Sequence, residues 1–202
     1  MRTVFVAAKV DRTESEGPGP RFAIWVQGCS IRCPGCCNPE MFADRGGAEV
    51  DTTDLGNEIL AVHASAPLEG VTFLGGEPFE QAAALAVVAA RVRAAGLSVM
   101  TFTGHMRGDL ERSSDEGVEA LLAATDLLAD GPFEQDRPGS RYRWLGSQGQ
   151  ALHVLTERYR ADDPRFFAPN TVELKLSRGG LVVSGWAPSA MKLGFERLRR
   201  RS

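Results

Sequence analysis

Apolar and polar positions fall into blocks that predict strands and helices in turn. Val4–Val10 reads as a short apolar strand, and a loop of Gly, Pro and acidic residues follows from Asp11 to Pro20. FAIWV (Phe22–Val26) is the next strand. A helix begins near Asp51 or Thr52, with Leu55, Ile59 and Val62 at i, i+4 and i+7 on one face. VTFL (Val71–Leu74) reads as a buried strand between Gly70 and Gly75-Gly76. The Ala-rich run Glu80–Ala95 predicts a helix, with Gly96 where a C-cap glycine belongs. LSVMTF (Leu97–Phe102) is a further strand, Glu116–Ala124 a helix and LLA (Leu127–Ala129) a short strand. From Pro132 to Asp163 the periodicity fades, and that stretch is expected to be mostly loop with room for a short helix. Near the end, VELKLS and LVVSGW flank Arg178-Gly179-Gly180, a hairpin signal.

This βαβα alternation predicts an α/β fold with a mostly parallel sheet covered by helices. No internal repeat or low-complexity linker interrupts it, so residues 1–202 are expected to form one domain. The apolar fraction of 43% and charged fraction of 24% are those of an ordinary soluble domain. A net charge of −3 points to neither nucleic acid nor an anionic membrane as partner. No apolar run approaches the ~18–20 residues needed to span a bilayer. The apolar part of the N-terminus is too short for a signal peptide and reads better as a strand, so the cytoplasm is the expected location.

Cysteine placement changes the picture. All four cysteines fall between positions 29 and 37. A disulfide framework spreads its cysteines to close long loops, which four thiols in so short a stretch cannot do. Clustered thiols point instead to metal binding or redox chemistry. Cys29-x3-Cys33-x2-Cys36 offers three thiolates, soft ligands suited to iron–sulfur clusters and to zinc. Three ligands leave one iron of a [4Fe–4S] cubane open to an exogenous group. Structural zinc sites pair two ligand dyads about a dozen residues apart, and here there is no second dyad. Cys37 adjoins Cys36 and points away from it, an awkward fourth ligand. Gly28 and Gly35 let the chain wrap closely around an inorganic core. Four segments follow four strands: GCSIRCPGCCNPE, GGEP, TGH and DGPF. Loops at the carboxyl ends of parallel strands gather at one edge, where ligands bind.

The segment EGPGPRFAIWVQGCSIRCPGCCNPEMF, Glu16 to Phe42, resembles the radical S-adenosylmethionine (SAM) activating enzymes, in which a DGPGxR loop, a strand and a CxxxCxxC loop followed by Asn run in this order. The likeness is closest to the small activases of glycyl radical enzymes, of the pyruvate formate-lyase and anaerobic ribonucleotide reductase types. It continues through VTFLGGEPFEQ, SVMTFTGH and LLADGPFEQ to about Tyr159.

The resemblance implies that Cys29, Cys33 and Cys36 hold a [4Fe–4S] cluster whose open iron is chelated by the methionine part of SAM. One electron from a flavodoxin- or ferredoxin-like reductant then cleaves SAM to methionine and a 5′-deoxyadenosyl radical, which abstracts hydrogen from a substrate. It further implies a partial, open parallel β/α barrel with a C-terminal β-hairpin, the chain being shorter than the ~250 residues typical of a closed barrel. SAM contacts are expected at Gly35, Cys37, Gly75, Gly76, Glu77, Pro78, Thr103 and Asp130, with a monovalent cation near Asp130. Two positions depart from the pattern. Cys37 stands where activases commonly have His or an aromatic residue, and His105 where they often have Tyr. His105 reads as a surface or satisfied polar residue, with a substrate or proton role as the alternative, and Trp25 reads as core. The leading reading is an oxidoreductase that installs a radical on a glycine of a partner glycyl radical enzyme. The alternatives are a radical SAM enzyme acting on a small molecule or peptide, and a non-catalytic iron–sulfur module for electron transfer or sensing.

Overall fold

Seven strands form one sheet in the order β3-β1-β2-β4-β5-β6-β7 in the computed structural model, which describes residues 2–177 and 180–186. The strands are β1 (Thr3–Thr13), β2 (Arg21–Val26), β3 (Ala48–Asp51), β4 (Gly70–Gly75), β5 (Ser98–Phe102), β6 (Leu127–Asp130) and β7 (Ala151–Val154). β2, β4, β5 and β6 are parallel neighbours. β2 is buried along its whole length, as an interior strand covered on both faces must be. The helices are α1 (Thr52–Ser65), α2 (Ala82–Ala94), α3 (Arg107–Glu111) and α4 (Glu116–Ala124). Aspartates start two of them. Asp51 Oδ1 accepts from Thr53 N at 2.7 Å, and Asp115 Oδ1 accepts from Gly117 N at 2.7 Å. Gly96 closes α2 at φ +87°. Among the described residues no helix is long and apolar enough to cross a membrane.

Several expectations are corrected. The first strand runs on to Thr13, into the stretch read as loop, and pairs antiparallel with β2. β3, which carries no apolar alternation, pairs antiparallel with β1. The helix expected from Glu80 starts two residues later, because Pro78 opens a 3-10 turn over Pro78–Gln81. α3 was not foreseen. Between residues 132 and 163 no helix forms; a strand, β7, pairs antiparallel with β6 instead. The sheet is therefore mixed, with a parallel centre and antiparallel flanks, and β3 and β7 are its edges.

Two apolar layers flank this sheet. On one face Phe22, Ile24, Val26, Val71 and Phe73 pack against Leu55, Ile59, Leu85, Val88, Val92 and Leu121 from the helices. The other face carries Ala23, Trp25, Leu74 and, further along, Met100, Leu127 and Ala129 under Trp144, Tyr159 and Phe166. At the base of this second face lies Arg21, fully buried. Its Nε donates to Thr72 Oγ1 at 2.7 Å, Nη1 to Ser98 Oγ at 2.9 Å and Nη2 to Val71 O at 2.6 Å. Burial lowers its pKa from the usual arginine value, and these bonds are what make a buried cation tolerable.

β8 (Val172–Ser177) and β9 (Gly180–Gly185) pair antiparallel as a separate ribbon, with Val172 opposite Gly185. Glu14 N donates to Glu173 Oε1 at 2.7 Å, and the Ser184 hydroxyl lies 3.1 Å from Ser15 Oγ. Of the turn expected between these strands, Arg178 and Gly179 lie outside the described residues.

Candidate active site

The second face of the sheet opens into a cavity of about 820 Å³, within the ~300–1,000 Å³ usual for small-molecule and cofactor sites. Cys29, Cys33, Cys36 and Cys37 line it, as do Gly75, Gly76, Glu77 and Thr103. Four loops at strand ends thus contribute to one space, as expected of a parallel sheet. Gly35, Pro78 and Asp130 are not among its lining residues, although Gly131 is.

The cysteine loop leaves β2 and is fastened at its stem by the main chain. Gly28 N donates to Met41 O at 3.0 Å and Cys29 N to Phe42 O at 3.4 Å. The loop after β4 locks onto the same stem, with Gly76 N donating to Val26 O and Glu77 N to Gly28 O, both at 2.8 Å. A Cβ on Gly76 would stand 2.1 Å from Gly28 O, so only glycine permits this approach.

Glu77 is almost wholly buried, and its carboxylate ties two strand ends together. Oε1 accepts from Phe79 N and Thr103 Oγ1, each at 2.9 Å, and Oε2 accepts from Gly104 N at 2.8 Å. Burial raises its pKa from the usual carboxyl value while these donors pull it back. Thr103 Oγ1 also accepts from His105 N at 3.1 Å, so His105 helps to shape the turn after β5 through its backbone.

Cys29, Cys33 and Cys36 are partly buried and Cys37 is exposed. Burial pushes the Cys29 thiol up, while the N–H groups of Arg32 and Ile31 draw it down. Arg32 holds φ +51° to make that turn. Among the described residues no group of three His, Cys, Asp or Glu side chains is gathered around a point that would hold a single ion. Three thiols lining one cavity, with peptide N–H groups directed at Cys29, suit a larger inorganic core whose positive charge favours thiolate over thiol. The residues fit an iron–sulfur cluster.

Asp130 faces elsewhere. Its Oδ2 accepts from Arg107 N at 2.7 Å, and its Oδ1 lies 3.0 Å from His153 Nε2 without hydrogen-bond geometry. Trp25 packs in the core and also lines the cavity.

Sequence reasoning named none of several other lining residues as site residues. Phe133, Trp144, Gly146 and Gln150 come from the stretch read as loop, Glu16 from the segment before β2, and Val183, Gly185 and Trp186 from the end of β9 and just beyond. Two of these carried a local signal: Glu16 as the acidic residue of EGPGPR, and Phe133 as the last residue of the DGPF segment expected at the same edge. The pKa of the Glu16 carboxyl is pushed up to about 7, chiefly by burial, against the hydrogen bond from Gly185 N.

A family model described as a 4Fe-4S single cluster domain matches residues 15–153. The anaerobic ribonucleoside-triphosphate reductase-activating protein of Vibrio cholerae is 28% identical over 69% of this chain and 91% of its own length. The protein of the same name from Escherichia coli is 27% identical over the same shares. The pyruvate formate-lyase-activating enzyme of Listeria monocytogenes is 33% identical over 56% of this chain and 46% of its own. Among solved structures, QueE from Escherichia coli overlaps 50% of this chain and 53% of its own at 20% identity and a TM-score of 0.42. With its cysteines on one wall of a ligand-sized cavity and the model matching most of its length, the chain belongs to the 4Fe-4S single cluster domain family.

Proposed function

We propose that this protein is a radical SAM activating enzyme that draws a hydrogen atom from a glycine of a partner glycyl radical enzyme. The observation that carries the reading is the single cavity lined by Cys29, Cys33 and Cys36 together with Gly75, Gly76 and Glu77. The names of its relatives support the activase class. An electron carrier or sensor would have no use for so large a cavity beside its cysteines.

In this reading Cys29, Cys33 and Cys36 hold the cluster, and the carbonyls of the Gly75–Gly76 strand end receive the ammonium of SAM. When bound, the pair supplies one-electron cleavage of the sulfonium and a radical able to abstract hydrogen. The chain's own part is orientation and exclusion of water. Glu77 fixes the ends of β4 and β5, the glycines admit close backbone approach, and the aromatic rings of Trp25, Phe102 and Trp144 supply apolar lining that limits water. Cys37 and Thr103, which line the same cavity, complete the SAM surroundings, while Gly35 and Pro78 shape the cysteine loop and the loop after β4. Asp130, with one buried oxygen lacking a hydrogen-bond partner, is the candidate for a monovalent cation. The sheet and its exposed edges form an open barrel with a C-terminal hairpin, residues 1–202 act as one domain, and the working place is the cytoplasm with a flavodoxin- or ferredoxin-like donor. A small molecule or peptide as substrate is the second reading, favoured by the aromatic lining of the cavity.

Anaerobic reconstitution with iron, sulfide, dithionite and SAM should yield 5′-deoxyadenosine, and Cys33→Ala should abolish it. Adding a candidate glycyl radical enzyme should give a doublet by electron paramagnetic resonance. Turnover of SAM without that signal on any glycyl radical enzyme would refute the activase assignment in favour of the second reading.

A further inference from the structure

Gly185, at the end of β9, lines the same cavity as the three cysteines, although it lies well outside the matched residues 15–153. It is held from every side. Its N–H donates to Glu16 Oε1. Before it, Ser184 is buried, with its hydroxyl 3.1 Å from Ser15 Oγ and 3.3 Å from Thr13 Oγ1. After it, the Trp186 ring sits 5.7 Å from that of Phe133 and fills the space beside Gly146. Gly185 has φ +92°, and a Cβ on it would stand 2.2 Å from Thr171 O and 2.8 Å from Ser15 Cβ. One of its Cα–H bonds therefore points into the Thr171–Ser15 wall, and the residue itself lines the cavity.

We propose that Gly185 is a hydrogen-atom donor in cis, a modification site within the enzyme's own chain. The inference rests on the proposed function above. A glycine Cα–H is among the weaker C–H bonds of a polypeptide, because the radical left behind is shared with the amide on each side. The Gly185 Cα–H bond breaks homolytically, and the hydrogen atom passes to the 5′ carbon released from SAM. Methionine leaves with the sulfonium electron pair, and the chain keeps one unpaired electron at Cα. The single electron that opens the sulfonium comes from a low-potential one-electron donor, dithionite in the test.

The test uses the full chain grown on glycine deuterated at Cα, reconstituted anaerobically with dithionite and SAM and with no partner protein. Deuterium should appear in 5′-deoxyadenosine at a rate per chain that is independent of dilution. A doublet on the unlabelled chain should collapse to a singlet on deuteration. Gly185→Ala should reduce deuterium transfer more than tenfold. Because that variant could unseat the strand, the site is also read without substitution: oxygen exposure should cut the radical-bearing chain at residue 185, which mass spectrometry locates. In the cluster-free chain the Gly185 amide should exchange slowly, and Glu16→Ala should speed it at least tenfold. An unprotected Gly185 amide, or deuterium-free 5′-deoxyadenosine from the labelled chain, would overturn the inference. Absence of 5′-deoxyadenosine under every condition, partner included, would instead sink the proposed function.

Discussion

Replacing Gly76 with alanine should dislocate the joint between the cysteine loop and the loop after β4. The new Cβ would lie 2.1 Å from Gly28 O and 2.9 Å from Val26 O, where ordinary contact begins near about 3.5 Å. One backbone must retreat by roughly 1 Å, which strains Gly76 N to Val26 O and Glu77 N to Gly28 O. Two such bonds at about 1 kcal/mol each, with about 1–3 kcal/mol for overpacking, predict a loss of about 3–5 kcal/mol. That is a large share of the ~5–15 kcal/mol that holds a domain together. Gly96→Ala is the control, since its Cβ would meet nothing within 4 Å and only the backbone at φ +87° is strained, at about 1 kcal/mol. Urea denaturation of the two cluster-free variants separates the effects, and iron content after reconstitution reports the cysteine loop. Equal losses in the two variants, with full iron in Gly76→Ala, would refute the argument from contact.

Three further outcomes are expected. Cys37→Ala should retain the iron that Cys33→Ala loses, as measured by metal analysis and the visible spectrum of the cluster. Glu16 has its pKa raised by burial to about 7, so its neutral form is favoured in the folded state. Its stabilising contribution is complete below the unfolded value near 4.5 and is lost as pH rises through about 7. Stability should fall by about 3 kcal/mol more across that window in the parent chain than in Glu16→Gln, as followed by denaturation at each pH. Tyr159→Phe should cost about 1–3 kcal/mol, because the Tyr159 hydroxyl donates to Glu69 Oε1 at 2.8 Å and stands beside the buried Arg21; a change below 0.5 kcal/mol would contradict that role.

The parallel centre was legible because β2, β4 and β6 are apolar runs bounded by glycine or polar loops, and α1 was legible from its apolar spacing after Asp51. β3 was not, because AEVD is an exposed edge paired only with β1 and carries no period-two pattern. β7 escaped for a related reason: ALHV is short, and its pairing with β6 is a long-range fact. Of the site, the cysteines and the glycines after β4 could be read directly, since spacing and a strand end carry their chemistry. Glu16, Phe133 and Gly185 could not be brought together from the sequence, because what unites them is the folding of β8 and β9 against Thr13–Glu16.

The stem of the cysteine loop is pegged to the sheet by main-chain hydrogen bonds that involve no thiol, while Pro34, Gly35 and Cys37 further out are exposed. Uptake of iron and sulfide can therefore be a local event on a finished scaffold, reversible without unravelling the domain. A cell that loses its clusters to oxygen would keep folded, reloadable protein rather than debris for proteolysis.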